Sequence, residues 1–572
     1  MILQSLQIYY DRKSADPESR IAPEGFERKE IPFIIVIDKQ GNFVQIEDTR
    51  YQDGKHIRAK SFLVPQSEKR SSGVKACLLW DNAEYIFGLV RDQSKSIRIA
   101  QQRLDFFNRI RALNIEEDEG ICAVLHFLSS DNLVSLLEQS NYSAEIKETN
   151  PFMSFRLNED NHLICERLRV VDKIKDIEAT GDIGICLVSG EKGELARLQS
   201  PIKGVRGTNS TGGNLVSFNL SAFNSFGKSQ GANAQISKKS SFAYTTALNH
   251  LLAKDSSQKI QIGDATTVFW ADKDSHFEKY FPELFEEPPK DNPDRLSEKV
   301  AALLKAVDTG VLPESDHETK FFILGLSPNA ARISVRFWHA GTIAEFSKRI
   351  AQHFHDLELV HAPEKQDYLS IWALLRATAL QGKSENIVPN LSGEWMRCIL
   401  EGLPYPELLF QAVMRRIKAE REVSFARVAM IKAYLNRKAR FLNKLEEEMT
   451  VSLDDENKNI GYRLGRLFAV LEKIQEEVNP GINAGIREKY YSSASCTPAN
   501  VMPVLMRLKN HHLAKLPIGR GIYFEKLLGE ILCEIHSFPP QLNLTEQGRF
   551  AIGYYHQRQA FFTTSETSST EE

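Results

Sequence analysis

Residues 321–341 read FFILGLSPNAARISVRFWHAG, and the way this stretch ends decides the fold. Its second half alternates with period two, Ile333, Val335 and Phe337 against Arg332, Ser334 and Arg336. That spacing predicts a strand with one buried face, leaving Arg332 and Arg336 on the solvent side of an antiparallel sheet. Beyond Gly341 the strand signal largely disappears. EFSKRIAQHFHDLEL, LSIWALLRATALQG and GEWMRCILEG read as successive helices, punctuated by Gly402-Leu403-Pro404. The expected fold is α+β: a mixed α/β N-terminal domain with antiparallel sheet elements, then an all-α C-terminal helical bundle. The expected divisions are 1–340, a helical connecting region 341–448 with a basic segment, and the bundle 449–572.

Working back toward the N-terminus, TTVFWAD is a strand, PELFEEPPKDNPD an acidic proline-rich linker and LSEKVAALLKAV a helix. Ile2, Leu3, Leu6 and Tyr9-Tyr10 predict a short amphipathic helix. IPFIIVID and FVQIED flank a Gly-containing turn at 39–42, and the first run is apolar enough to be buried on both faces of a hairpin. FMSFRLN, HLICERL and IGICLVSG have strand character, the last read as a buried strand. Between the hairpin and these strands, residues 69–75 gather Lys69, Arg70, Ser71, Ser72, Gly73 and Lys75, a compact set of phosphate-type donors.

The buried-strand reading of IGICLVSG leads straight into a stretch with an unusual omission. From Glu194 to Asp255 there is no acidic residue, although 26% of the chain is charged. Lys203, Arg206, Lys228, Lys238 and Lys239 are interleaved with Gly, Ser, Thr and Asn, and with Phe218, Phe223, Phe226, Phe242 and Tyr244. Cations, small hydroxyls and glycine-freed amides without a competing anion describe a surface that receives phosphate, or else a disordered basic loop. Side-chain amides can also read base edges. GVRGTNSTGG and FGKSQG lack the spacing of a mononucleotide or dinucleotide loop.

Toward the C-terminus, residues 415–444 carry a basic excess larger than solubility requires. In YRLGRLFAVLEKIQEEV, Leu464, Leu467, Phe468, Leu471, Ile474 and Val478 form one apolar face, with Arg466 and Lys473 on another. In VMPVLMRLKNHHLAK, Arg507, His511 and Lys515 recur every four residues as a second cationic stripe. His353 and His355, two apart on a helix, make a poor metal pair.

Bulk properties bound these readings. The 572 residues should hold about two to four domains. The seven cysteines are scattered with no CxxC, which points to a reducing cytosol and away from zinc. No secretory signal is visible, and no apolar run approaches the roughly 20 residues that span a bilayer. A nucleophile elbow, HExxH, EF-hand and P-loop are all absent, so no catalytic constellation and no cofactor are expected. The net charge of -3 requires any nucleic-acid role to use local patches or a shared assembly. A nuclease with dispersed metal ligands and a general RNA-binding scaffold stay open as alternatives.

MILQSL with Tyr9-Tyr10, IPFIIVID, RSSGVKACLLWDN, SFNLSAFNSFGKSQGANAQIS, FAYTTALN, LSPNAARISVRFW, YRLGRLFAVLEKIQ and HHLAKL together resemble the large subunit of the type I-C CRISPR Cascade complex. The resemblance spans nearly the whole chain in order. It implies a non-catalytic, cytoplasmic subunit of a crRNA-guided assembly that recognises a protospacer-adjacent motif (PAM) in duplex DNA, helps open the duplex and holds the displaced strand. Guide pairing then reads the sequence while protein reads the PAM. The implied partners are target double-stranded DNA, the crRNA indirectly, the backbone, crRNA-processing and small subunits, and a helicase-nuclease recruited after R-loop formation, with no membrane. On this reading Lys228, Ser229, Gln230 and Asn233 lie closest to the bases. Lys75 and Asn82 position the phosphate backbone, and Ser71, Ser72, Lys203, Arg206, Lys238 and Lys239 contribute to the same surface. Type I-C small subunits arise by internal translation of the large-subunit gene. Met449, preceded by Glu446-Glu447-Glu448 whose codons are purine-rich, is a better internal start than Met430. Arg463, Arg466, Lys473, Arg507 and Lys515 would then line a path for the displaced strand.

Overall fold

The computed structural model describes residues 1–566 except 20, 55, 69–72, 92–93, 95, 116, 176–180, 263–264, 287–294, 310–317, 364 and 483. Ser71 and Ser72, with most of the proline-rich stretch after Phe285, therefore lie outside the described residues. Contacts divide the chain into two units, Met1–Ile202 with Asn214–His250, and Lys203–Gly213 with Leu251–Glu572. The fold is α+β, strands giving way to helices toward the C-terminus.

The first unit opens with α1 (Ile2–Ser14), which buries Leu6, Tyr9 and Tyr10. Its strands are β1 (Phe26–Glu30), β2 (Phe33–Ile37), β3 (Phe43–Asp48), β4 (Arg50–Asp53), β5 (His56–Ala59), β6 (Ser61–Pro65), β7 (Trp80–Asn82) and β8 (Phe152–Leu157). The main sheet has the order β3-β2-β8-β7. β2 pairs antiparallel with β3 and parallel with β8, and all five of its residues are buried, as a wholly apolar run requires. The connection from β7 to β8 carries α2 (Ala83–Phe87), α3 (Ser96–Arg111), α4 (Glu119–Leu128), α5 (Leu133–Glu138) and α6 (Ser143–Thr149). Then follow α7 (Leu168–Lys175), a ribbon of β9 (Ile183–Ile185) and β10 (Lys192–Glu194), and α8 (Lys238–Leu251).

Two strand readings change here. HLICERL is a single 3-10 turn at Ile164–Glu166. IGICLVSG is not a buried strand but half of a two-stranded ribbon covered on one face only. Cys186 and Val188 pack inward with Ile236, while Ile183, Ile185 and Leu187 face solvent. An apolar run with period-two burial cannot be told from a run buried on both faces by composition alone.

The second unit is built on an antiparallel sheet, β11 (Lys259–Ile262), β12 (Ala265–Ala271), β13 (Lys320–Asn329) and β14 (Arg332–Thr342), hydrogen-bonded in that order. In β14 the register slips at Arg336: Gly325 faces Phe337 but Leu326 faces Val335. The extra residue places Phe337, which joins the core shared with the helices, on the face opposite Ile333 and Val335, so the expected single alternating face breaks at Arg336, and Val335 is 41% exposed. Helices follow: α9 (Phe277–Tyr280), α10 (Arg295–Thr309), α11 (Ile343–Leu357), α12 (Ile371–Thr378), α13 (Leu391–Glu401), α14 (Glu407–Glu420), α15 (Phe425–Phe441), α16 (Ile460–Val478), α17 (Ile486–Cys496), α18 (Pro498–Leu513), α19 (Ile518–Leu532) and α20 (Leu544–Glu566). Thr342 ends β14 and caps α11, its hydroxyl accepting from the Glu345 N–H at 3.2 Å. One core runs from Ile260 to Tyr555, so packing does not break at 340 or at 448. α16 lies at its centre, against α17, α18, α19 and α20. Among the described residues no helix is long and apolar enough to cross a membrane.

Candidate nucleic-acid interface

The acid-free stretch is divided between the units. Lys203 and Arg206, both exposed, belong to the second unit, whereas residues 214–250 belong to the first. Around residues 221–236 the chain forms an ordered loop of tight turns, with 3-10 turns at Ser221–Phe223 and Gln230–Asn233. Its organiser is Asn233. The side-chain carbonyl accepts from the Ser225 N–H at 3.0 Å, and the amide donates to the carbonyls of Gln230 at 3.1 Å and Lys228 at 3.3 Å. Gly231 presses on the neighbouring segment, where its N–H donates to the Arg197 carbonyl. A β-carbon there would stand 2.2 Å from the Ala196 carbonyl oxygen, so no other residue fits without moving the loop.

This scaffold fixes what faces solvent. The Lys228 N–H donates to the Ser225 carbonyl at 2.9 Å, closing a turn whose central residues, Phe226 and Gly227, have φ of 52° and 68°. Positive φ at both central positions is the signature of a type I′ turn, which favours Asn and Gly. Phe226 is nonetheless there and 97% exposed. A left-handed conformation at a non-glycine residue costs about 1–2 kcal/mol, and an aromatic ring in water adds nothing back. Lys228 and Ser229 are exposed beside it. Gln230, itself at φ 48°, accepts from Arg197 Nε at 2.6 Å through its carbonyl oxygen, which leaves its amide hydrogens to donate outward. Phe226 and Arg197 lie in the acid-free stretch, but the sequence reading gave neither a contact role. The legible signal was an aromatic between small residues, directly before Gly-Lys, in a segment without a core.

Other expected residues are engaged elsewhere. Lys238 pairs with Glu194 at 2.5 Å, an acid just outside the acid-free stretch. Lys239 is exposed on the first turn of α8. Asn82 caps α2, accepting from the Tyr85 N–H at 3.3 Å, so its side chain serves the helix. Lys75 is exposed at the end of a loop whose two stems are fixed to α3: Arg109 pairs with Glu68 and donates to the Ala76 carbonyl at 2.7 Å, and Asp105 accepts from the Ala76 N–H at 2.6 Å. Beneath the acid-free loop, burial pushes the Cys186 thiol up, but hydrogen bonds from Ser237 and Ser240 outweigh it and bring the thiol down to about 6. This is the effect of a helix N-terminus on a thiolate.

In the second unit, the cations of α16 need correcting. Arg463 and Arg466 are 4% and 2% exposed. Arg463 donates to the carbonyls of Glu530 and Ile531, and Arg466 pairs with Asp455 at 2.5 Å and donates to Gln557 at 3.0 Å. They tie α16 to its neighbours, because every face of this helix is covered and long guanidinium side chains reach carbonyls past the apolar packing. Lys473 sits half-buried near Glu477 at 3.6 Å. Arg507, His511 and Lys515 stay exposed on or just beyond α18. Part of the basic excess of 415–444 is internal as well, although Arg415, Arg421, Lys438 and Lys444 are exposed. Arg437 and Arg440 converge on the buried Asp356 carboxylate, Lys432 donates to the Asp356 carbonyl at 2.9 Å with its pKa lowered by burial, and Arg427 pairs with Glu420.

Met449 is buried, and its N–H and carbonyl are both held by the Asn436 side chain, at 2.7 and 2.9 Å. Glu447 pairs with Lys444 and Arg549, and Glu448 with Arg440. Met430 lies inside α15. His353 is buried with Nδ1 2.6 Å from the Tyr405 hydroxyl, and His355 faces Glu358. Among the described residues no three His, Cys, Asp or Glu side chains converge to hold a metal ion.

The loop thus presents a solvent-facing aromatic, an exposed cation and the Gln230 amide hydrogens side by side, and comparison with known families supplies the context. A family model described as CRISPR-associated protein (Cas_Csd1) matches residues 6–562, nearly the whole chain. The chain belongs to this family and is a CRISPR-associated Cascade subunit, in agreement with the resemblance read from the sequence. No match is found among curated proteins.

Proposed function

We propose that the chain is the non-catalytic large subunit of a type I-C Cascade complex, which recognises the PAM in duplex DNA, assists opening of that duplex and holds the displaced strand. The observation that carries this reading is Phe226, fully exposed and held in a strained turn at the tip of an ordered, acid-free loop. An apolar side chain offered rigidly to a duplex can enter between base steps, and the unstacking it must offset amounts to about a few kcal/mol per step. Beside it, Lys228 and Ser229 contact the backbone, while the Gln230 amide hydrogens seek acceptors on a base edge. Asn233 acts on the DNA only by holding the loop. The exposed stripe of Arg507, His511 and Lys515 supports a path for the displaced strand, and α16 drops out of that path apart from Lys473. A separately translated product beginning at Met449 would carry α16 to α20, and intact mass measurement of the small product of this gene tests that start.

The test of PAM reading is binding of the assembled complex to duplexes with and without the motif. Gln230→Ala should reduce discrimination by about tenfold, the weight of one good base contact. Lys228→Ala should weaken both duplexes alike and lower the salt slope by about 1. If Gln230→Ala and Phe226→Ala combined leave PAM-dependent binding at the wild-type level, the assignment of this loop is wrong.

A further inference from the structure

The second unit contains a cleft of about 780 Å³ that the proposed function does not use. β11 and α12 give it an apolar floor that includes Ile262 and Leu375, both buried. Half-buried Trp372 adds an indole surface to the wall. Three charged residues complete the lining: Arg206, which makes no ion pair among the described residues, and Glu286 and Glu385. All three are exposed to water, so a purely apolar ligand would use only the floor and gain nothing from them. A basic peptide would meet Arg206, and an acidic one the two glutamates. A nucleotide satisfies the whole set: its base stacks on indole, its phosphate pairs with guanidinium and an exocyclic amino group donates to carboxylate.

We propose that this cleft receives one unstacked, amino-bearing nucleotide of single-stranded DNA, with Trp372 as the stacking platform. The idea rests on the reading that the chain handles opened duplex, and it extends that reading to a site where one extruded base is parked. Carboxylates accept hydrogen bonds and cannot donate them when ionised, so cytosine, with its N4 amino group, is favoured over thymine, which presents a carbonyl at the same place.

The experiment is fluorescence anisotropy of the full-length chain with labelled oligo(dC), oligo(dT) and oligo(rC) of about ten nucleotides. Oligo(dC) should bind more tightly than oligo(dT). Trp372→Ala should weaken both DNA strands by about tenfold, because stacking is tolerant of the base. Glu286→Gln with Glu385→Gln, both exposed positions that leave the fold intact, should remove the preference for dC. The inference is overturned if Trp372→Ala changes nothing, if dT binds as well as dC, or if the rC strand binds more tightly than the DNA. Duplex binding through the Phe226 loop is read in a separate assay with different residues, so failure of the cleft leaves the PAM reading standing, and the converse holds.

Discussion

Phe226→Gly separates a functional role from a structural one, because the two make opposite demands on that position. Phe226 sits at φ 52° and is 97% exposed, so deleting its ring removes no packing and relieves a left-handed backbone. Relief of that conformation is worth about 1–2 kcal/mol. Against it, glycine gains conformational freedom in the unfolded chain, worth about 0.4–1 kcal/mol. The variant should therefore be as stable as the wild type or up to about 1.6 kcal/mol more stable, read from denaturant midpoints. Duplex opening should move the other way. Without the wedge, the unstacking cost of about a few kcal/mol at the first base step is no longer offset. With each 1.4 kcal/mol equal to about a factor of ten, the open fraction should fall by about ten- to a hundredfold. A 2-aminopurine placed next to the PAM reports the opening in the assembled complex. Wild-type fluorescence rise with the glycine variant, or loss of stability without loss of opening, would refute the argument.

Asn233→Ala removes the acceptor for Ser225 and the donors to Lys228 and Gln230. It should increase protease cleavage within residues 221–236 and weaken all duplexes, with PAM preference reduced only as far as the loop disorders. Arg466→Ala leaves the buried Gln557 carbonyl without its donor, while Asp455 is exposed to water, and should destabilise the second unit by about 1–3 kcal/mol, visible in urea unfolding. Arg507→Ala with Lys515→Ala should leave unfolding unchanged and lower the salt slope of single-strand binding by about 1.4, at about 0.7 per phosphate contact. For Cys186, the folded thiol ionises near 6 and the unfolded one near its ordinary 9.0. Its contribution is fully present above about 9, and is lost as the pH falls through about 6, so stability should rise between these values. Thiolate absorbance checks the ionisation, and Cys186→Ala should flatten the stability profile over that window.

How much of this was legible in the sequence depends on which property each residue expresses. Periodicity reports burial, so wholly apolar β2 and the long helices α10 and α16 were readable. It does not report how many faces a neighbour covers. Arg463 and Arg466 lie off the apolar stripe of α16 and read as a solvent face, yet α18, α19 and α20 enclose the helix and turn both guanidinium groups into internal ties. The reverse error occurs in IGICLVSG, where an apolar composition conceals an outward row of Ile183, Ile185 and Leu187. At the candidate interface, the missing acids drew attention to one segment, since electrostatics depends on what is absent as much as on geometry. Composition could not say which amide holds the loop and which faces out, because Asn233 and Gln230 differ only in where the backbone aims them.

That distinction bears on how a chain of net charge -3 would handle DNA on the proposed reading. Several of its cations are buried in ion pairs, at Asp356, Asp455 and Glu420. Exposed cations remain in both units, among them Lys228 and Lys239 in the first and Arg206, Arg507 and Lys515 in the second, but acids balance them over the chain. Each phosphate contact adds only a modest, salt-screened increment, so such patches alone bind nucleic acid weakly. On the proposed reading, affinity comes from the rest of the assembly and this subunit discriminates. A rigid tip with one aromatic, one cation and one pair of amide donors suits that task better than a broadly basic surface, which would hold the complex on any DNA.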